Sequence, residues 1–165
     1  MALYNVESEE IDVHIQRQMR VSPEALYRAW TDVTYMKQWF MTSTHTNVAI
    51  EVDAQLQGKY RVVDQRKDKQ FVVEGIYEAL TAPQHVKMTM GVPDNAASID
   101  HIDVAMHAVT EELTQMDFVY KATFPRTRGM TNLSYKQAKK TYHDTLVHGF
   151  EHMFDTLQRT LEAHV

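Results

Sequence analysis

The chain has 165 residues, a formal charge of −5 at pH 7, no cysteine and ten methionines. That length suits one domain, 1–165, with a real core, and a pI near 6.0 excludes the basic face that a nucleic-acid partner needs. Disulfide frameworks and thiolate metal sites are excluded, no apolar run approaches the ~20 residues of a membrane span, and the polar, acidic start from Met1 to Glu10 is unlike a signal peptide, so the expected setting is cytoplasmic.

Ile11, Val13, Ile15 and Met19 alternate with Asp12, His14, Gln16 and Gln18, the period of a half-buried strand. Ser22 as N-cap and Pro23 at the first helical position start a short helix carrying Ala25, Leu26, Ala29 and Trp30. Thr31-Asp32 restarts the chain, and Val33 to Phe40 reads as a second short helix. Strands dominate next. Val48, Ile50 and Val52 alternate in one, and a turn at Gln57-Gly58 leads to Tyr60 to Val63. Phe71 to Leu80 makes another strand, ending near Pro83, and Val86, Met88, Met90 and Val92 make the next. Pro93 to Ser98 reads as a loop. Ile102, Val104, Met106 and Ala108 alternate with His101, Asp103 and His107. After a turn at Glu111-Glu112, Met116, Phe118, Tyr120, Ala122 and Phe124 form the last strand, and Pro125 to Leu133 loops into the final segment.

From Ser134 to Val165 the chain reads as one long helix. Tyr135, Ala138, Tyr142, Leu146, Gly149, Phe150, Met153, Phe154, Leu157 and Leu161 recur at steps of three and four, one helical face. Ser134 with Gln137 fits a capping box, and a helix from Tyr135 to Ala163 is roughly 43 Å long at 1.5 Å per residue. Gly149 costs about 1 kcal/mol relative to alanine, which predicts an offset: close approach to the sheet or to a ligand. Lys136, Lys139 and Lys140 near its start read as a solvated face, with an anion-facing patch as the alternative.

One strand, two short helices, about six strands and a long helix define an α+β domain. Consecutive strands with short turns make an antiparallel meander. A twisted sheet of about seven strands curls, and the long helix is expected on its concave face, the helix-grip (Bet v-like) arrangement.

Particular residues carry a family resemblance. Val21-Ser22-Pro23-Glu24-Ala25-Leu26-Tyr27-Arg28-Ala29-Trp30-Thr31-Asp32, then Trp39-Phe40, resembles the opening of START-like (SRPBCC) proteins. Glu51-Val52-Asp53, Gly58-Lys59-Tyr60-Arg61, Glu74-Gly75 and Pro83, and Gly149-Phe150 with Asp155, Leu157 and Leu161 resemble most closely the homologues of the activator of the heat-shock chaperone ATPase. That group is also placed with polyketide cyclase-like proteins. Gln57 stands where a glycine is expected, and Phe150 where the family usually has tryptophan. The resemblance implies an apolar cavity between sheet and long helix, taking lipids, sterols, hormones or polyketide-like molecules. It also implies a chaperone as an alternative partner.

The expected wall of that cavity is Trp39, Val62, Val73, Met88, Met90, Met106, Phe118, Phe150, Met153 and Phe154, with Tyr60, Arg61, Tyr77, Tyr120 and Tyr142 as polar anchors. A complete filling of that space by the same side chains is the alternative. His148-Gly149-Phe150-Glu151-His152 matches H-x-x-E-H, yet the intervening residues lie on the packing stripe, so the histidines point to a flank and no metal ligand set is assigned. His101, Asp103 and His107 share one strand face and read as its solvated side, a proton relay being the alternative. No catalytic set and no cofactor site can be assembled from the sequence. A small hydrophobic ligand is the expected partner; edge strands or an exposed helix face offer surfaces for a homodimer without requiring one. A cyclase-like or hydrolytic enzyme needs two titratable groups converging in the cavity.

Overall fold

The computed structural model describes residues 8–93 and 99–163. The chain runs β1 (Glu10–Met19), α1 (Pro23–Ala29), α2 (Val33–Trp39), β2 (Asn47–Val52), β3 (Lys59–Arg66), β4 (Lys69–Thr81), β5 (His85–Met90), β6 (Asp100–Thr110), β7 (Leu113–Thr123) and α3 (Asn132–Glu162). The strands form one seven-stranded antiparallel sheet in the order β1-β7-β6-β5-β4-β3-β2, so the meander closes by laying the last strand against the first. The expected element order stands. Part of the expected loop, 94–98, lies outside the described residues, as does 1–7 at the start.

Local chemistry starts each helix where the sequence says it should, with one exception. Ser22 accepts the Ala25 N–H and Asp32 accepts the Thr34 N–H, capping α1 and α2. The long helix instead starts before Ser134: Thr131 is the N-cap, its Oγ1 taking the Ser134 N–H at 3.0 Å, while the Ser134 hydroxyl donates back to the Thr131 carbonyl. Thr131 has extended backbone angles and a free hydroxyl three residues ahead, which is all that a cap needs, so the box at Ser134 and Gln137 is not used.

Period-two alternation gives the sheet an inner face. Ile11, Val13, Ile15 and Met19 of β1, Ile102, Val104 and Met106 of β6, and Met116, Phe118, Tyr120 and Ala122 of β7 are buried there. The curl is concentrated at β4. Regular pairing with β5 stops after Tyr77 opposite Met88 and returns as a single bridge between Glu74 and Gly91. Between them the Ile76 N–H is taken by the Thr89 hydroxyl at 2.9 Å. A Cβ at Gly75 would lie 2.1 Å from the Thr89 carbonyl oxygen, so only glycine permits this approach. Gln57 adopts φ 65, the left-handed region that glycine enters without steric cost.

The helix α3 runs along β1 for most of its length. At its start the Tyr135 hydroxyl donates to the Phe124 carbonyl at 2.6 Å and the Lys139 ammonium donates to the Ser8 carbonyl. Further on, Arg17 of β1 meets Glu151 and Asp155, each at 2.8 Å, and the Arg20 N–H meets Glu162 at 2.8 Å. Two expectations fail on this helix. Lys139 is buried rather than solvated: its stem packs inward and its ammonium lies 5.4 Å from the Tyr135 ring centre. Gly149 is exposed, and a Cβ there would meet no described atom within 4 Å. The stripe is narrower than the sequence pattern implies, passing through Leu146 and Phe150 and leaving Gly149 to one side.

Candidate functional site

The expected wall residues converge. Trp39, Tyr60, Val62, Tyr77, Met88, Met106, Phe118, Tyr120, Phe150 and Phe154 belong to one buried cluster, and Val73, Met90, Tyr142 and Met153 pack against it partly exposed. That division separates a floor from a rim. The floor is a block of aromatic rings. Trp30 meets Trp39 edge-on at 4.7 Å, Phe118 lies 4.9 Å from Phe154, and Phe150 lies 4.8 Å from Phe118 and 4.7 Å from Tyr120. Such rings add about 0.5–1.5 kcal/mol per pair beyond burial. Trp30 is enclosed, and its Nε1–H has no acceptor among the described residues.

The rim lies at one end of the sheet. α3 packs on β1 and α2, and its Phe150 and Phe154 reach Phe118 and Tyr120 of β7. The inward-facing ends of β4 and β5 are left uncovered, so Phe71 is 50% and the adjoining Val92 49% exposed although both continue inner-face alternation. Val73 and Met90 of the sheet, and Tyr142, Leu146 and Met153 of α3, are partly buried and pack against the floor. The result is a strip of partly exposed apolar side chains beside the buried floor.

Of the expected anchors, three are committed elsewhere. The Tyr60 hydroxyl donates to the Thr89 carbonyl and the Tyr77 hydroxyl to the Trp30 carbonyl at 2.8 Å. These hydroxyls fasten the sheet to itself and to α1, and burial holds both phenols well above their ordinary pKa. Arg61 faces outward and approaches Glu74 at 3.6 Å, half exposed. That leaves Tyr120 and Tyr142.

A residue absent from the sequence-based set joins them. Asp100 opens β6 two positions before Ile102, and the same alternation turns its carboxyl inward, where it accepts the Tyr120 hydroxyl. Burial pushes the Asp100 carboxyl above the usual carboxylate range, against the Tyr120 hydrogen bond and the His101 charge, which pull it down. Tyr142 is pushed up by burial and then by the Asp100 charge, which places it in the same group. The signal was present: Asp100, Ile102, Val104 and Met106 have one parity, and an acid at an inward strand position is uncommon enough to flag.

The histidines resolve differently. His101, Asp103 and His107 lie on the outer face, and each takes its own partner: His101 with Glu78 at 3.3 Å, Asp103 with His85 at 2.6 Å, His107 with Asp117 at 2.8 Å. Shallow depressions on that face, about 330 Å³ beside Arg61 and Glu74 and about 340 Å³ beside His14, Lys87 and Lys121, are open and lined by charged groups. His148 and His152 are exposed on α3, and Glu151 between them is taken by Arg17.

A curled antiparallel sheet with a long C-terminal helix packed against it defines the helix-grip class. Residues 20–162 match the family model described as "Activator of Hsp90 ATPase homolog 1-like protein", and the chain belongs to that family. Among solved structures, it is similar to a Staphylococcus aureus protein of unknown function at 46% identity and TM-score 0.90, covering 97% of this chain and 98% of that one. An uncharacterised Rhizobium leguminosarum protein shares the fold at 19% identity and TM-score 0.73, over 94% and 97% of the two chains. An HSP90 activator from Plasmodium falciparum does so at 17% identity and TM-score 0.56, over 87% and 96%. A search of curated proteins returns no significant match.

Proposed function

We propose that this chain binds a small apolar or amphipathic molecule in a cleft between α3 and the uncovered inward-facing ends of β4 and β5, in a cytoplasmic setting. The supporting observation is the partly buried apolar rim, Val73, Met90, Tyr142, Leu146 and Met153, with half-exposed Val92 beside it, packed against a buried aromatic floor. Apolar concavities with a few placed polar groups are the usual form of a small-molecule site. The ligand's apolar body lies along the rim and over Phe150, while the aromatic block below it is core. Fluorescence of a neutral apolar dye such as Nile red, titrated with the chain, tests this. Saturable uptake lost on replacing Met90 or Leu146 by glutamate is expected; failure to take up dye at micromolar protein sinks the reading.

The family description favours a second reading, a chaperone-associated module. Here the partner engages an outer surface. Adding the chain to the ninety-kilodalton chaperone and measuring ATP hydrolysis decides it: an unchanged rate, with no complex on a sizing column, removes it.

A further inference from the structure

Four charged side chains are turned into this fold, and their partners set one apart. Arg17, at an inward position of β1, has Glu151 and Asp155. Asp64 is buried with the Thr42 hydroxyl at 2.8 Å and the Arg66 guanidinium at 2.9 Å. Lys139 is buried with the Ser8 carbonyl, the Tyr135 ring and the charges of Glu9 and Glu10. Asp100 has the Tyr120 hydroxyl, and among the described residues no lysine or arginine reaches it. The adjoining segment 94–98 contains no basic residue. The neighbouring His101 ring lies on the outer face against Glu78. A carboxylate accepts about four hydrogen bonds, and none of the described residues donates to the second oxygen of this one. A half-buried carboxylate with no cationic partner is costlier to keep than one in water, and this one stands opposite Met90 of the apolar rim, with its second oxygen open to solvent or a ligand.

We propose that the cleft selects amphipathic molecules whose polar end is a protonated amine, held by the Asp100 carboxylate, which Tyr120 orients and Tyr142 flanks. This rests on the ligand-binding reading above and adds the chemistry of the head group. The apolar body lies toward Phe150 and Met90; the ammonium reaches the free oxygen of Asp100. An anionic head group, as in a fatty acid, meets like-charge repulsion at the same point.

The test compares three probes with one apolar body, n-decylamine, n-decanol and n-decanoate, displacing Nile red at pH 7 below their micellar concentrations. Decylamine is expected to bind roughly tenfold tighter than decanol, the scale of one charge-assisted hydrogen bond, with decanoate weakest. Asp100→Asn keeps the acceptor for Tyr120 and is expected to bring decylamine and decanol to the same affinity; Tyr120→Phe, folded by circular dichroism, should narrow the preference. Equal binding of the three probes, or a preference unchanged in Asp100→Asn, overturns the head-group proposal while leaving the cleft a binding site. Failure of all three to bind or displace dye overturns the binding reading and this proposal with it.

Discussion

Phe150 and Phe154 lie one turn apart on α3 and both belong to the floor, yet Phe150 adjoins the rim and Phe154 does not, and truncation separates the two positions. Phe154 is fully buried among Trp30, Trp39, Phe118 and Phe150, with ring centres 6.2, 6.2, 4.9 and 6.2 Å away. These are large, mutually packed rings that cannot close a hole left by alanine. Phe154→Ala should therefore cost about 3–5 kcal/mol, the range for a phenylalanine that leaves an uncollapsed cavity. A chain of 165 residues has an unfolding entropy of about 0.35 kcal/mol per kelvin, so the melting temperature falls by roughly 9–14 °C. Phe150 touches Phe118 and Tyr120, but its other neighbours along the helix, Leu146 and Met153, are partly exposed. The Phe150→Ala hole opens toward the cleft and can admit flexible side chains or solvent, at a cost of about 2–3 kcal/mol. Urea denaturation measures both costs, and dye binding reports the cleft. Phe150→Ala should take up bulkier apolar ligands, whereas Phe154→Ala should leave ligand preference as it was. If Phe150→Ala is the more damaging to the fold, or if Phe154→Ala alters ligand preference, the assignment of floor and rim is wrong.

Glycines offer a paired contrast. Gly75→Ala drives a methyl group into the Thr89 backbone and should unfold the chain or cost several kcal/mol, while Gly149→Ala, on an exposed helix face, should stabilise it by about 1 kcal/mol in the same denaturation assay. Arg17→Met keeps the apolar stem at an inward strand position but frees Glu151 and Asp155; because those carboxylates are about half exposed, the loss should be about 1 kcal/mol, read from urea midpoints. The acid limb of stability follows from hydrogen bonds. Arg17 holds Asp155, and the Arg20 N–H holds Glu162, below the ordinary carboxylate range, so their contribution is present above the unfolded value near pH 4 and is lost as pH falls through the folded values. Asp155→Asn should flatten that limb. Asp100 has the opposite sign: its raised folded value means stability is lost as pH rises from about 4 through that value, so Asp100→Asn should equal or exceed the parent at pH 7. A parent-like pH profile in both variants would refute the assignment.

The fold was legible because strand alternation and helix capping are local. Ile11 to Met19, Ile102 to Ala108 and Met116 to Ala122 show their buried side in the residue pattern alone, and Ser22-Pro23 and Asp32 announce two helices. What depended on placement was not legible. Gly149 lies within the apolar period of α3 but falls just off its contact line, a difference of one helical step that only the partner surface decides. Lys139 reads as solvent-facing until Ser8 and Tyr135 arrive beside it from distant parts of the chain. The tyrosine hydroxyls divide for the same reason. Each buried hydroxyl needs an acceptor, but the sequence cannot say that Tyr60 and Tyr77 find theirs in the backbone while Tyr120 finds a side chain at the cleft. Arg17 and Asp100 were readable in principle, since each is a charge in phase with inward apolar residues.

Arg17 also bears on where α3 lies. An apolar helix on an apolar sheet would gain most by lying over the middle, where burial per residue is greatest. Here α3 carries Glu151, Asp155 and Glu162 along the flank that meets β1, and Arg17 and Arg20 receive them. Gln158 adds a hydrogen bond to the Gln18 carbonyl at 3.3 Å. Each contact is modest, but together they favour a helix position at the β1 edge of the sheet. The Phe71 end of β4 and the Val92 end of the β5 segment are left without a helix over them, and Phe71, Val73, Met90 and Val92 stay partly exposed. An inward charge that finds its partners on the helix fixes the helix off-centre. The second inward charge, Asp100, lies at the uncovered side that this placement creates.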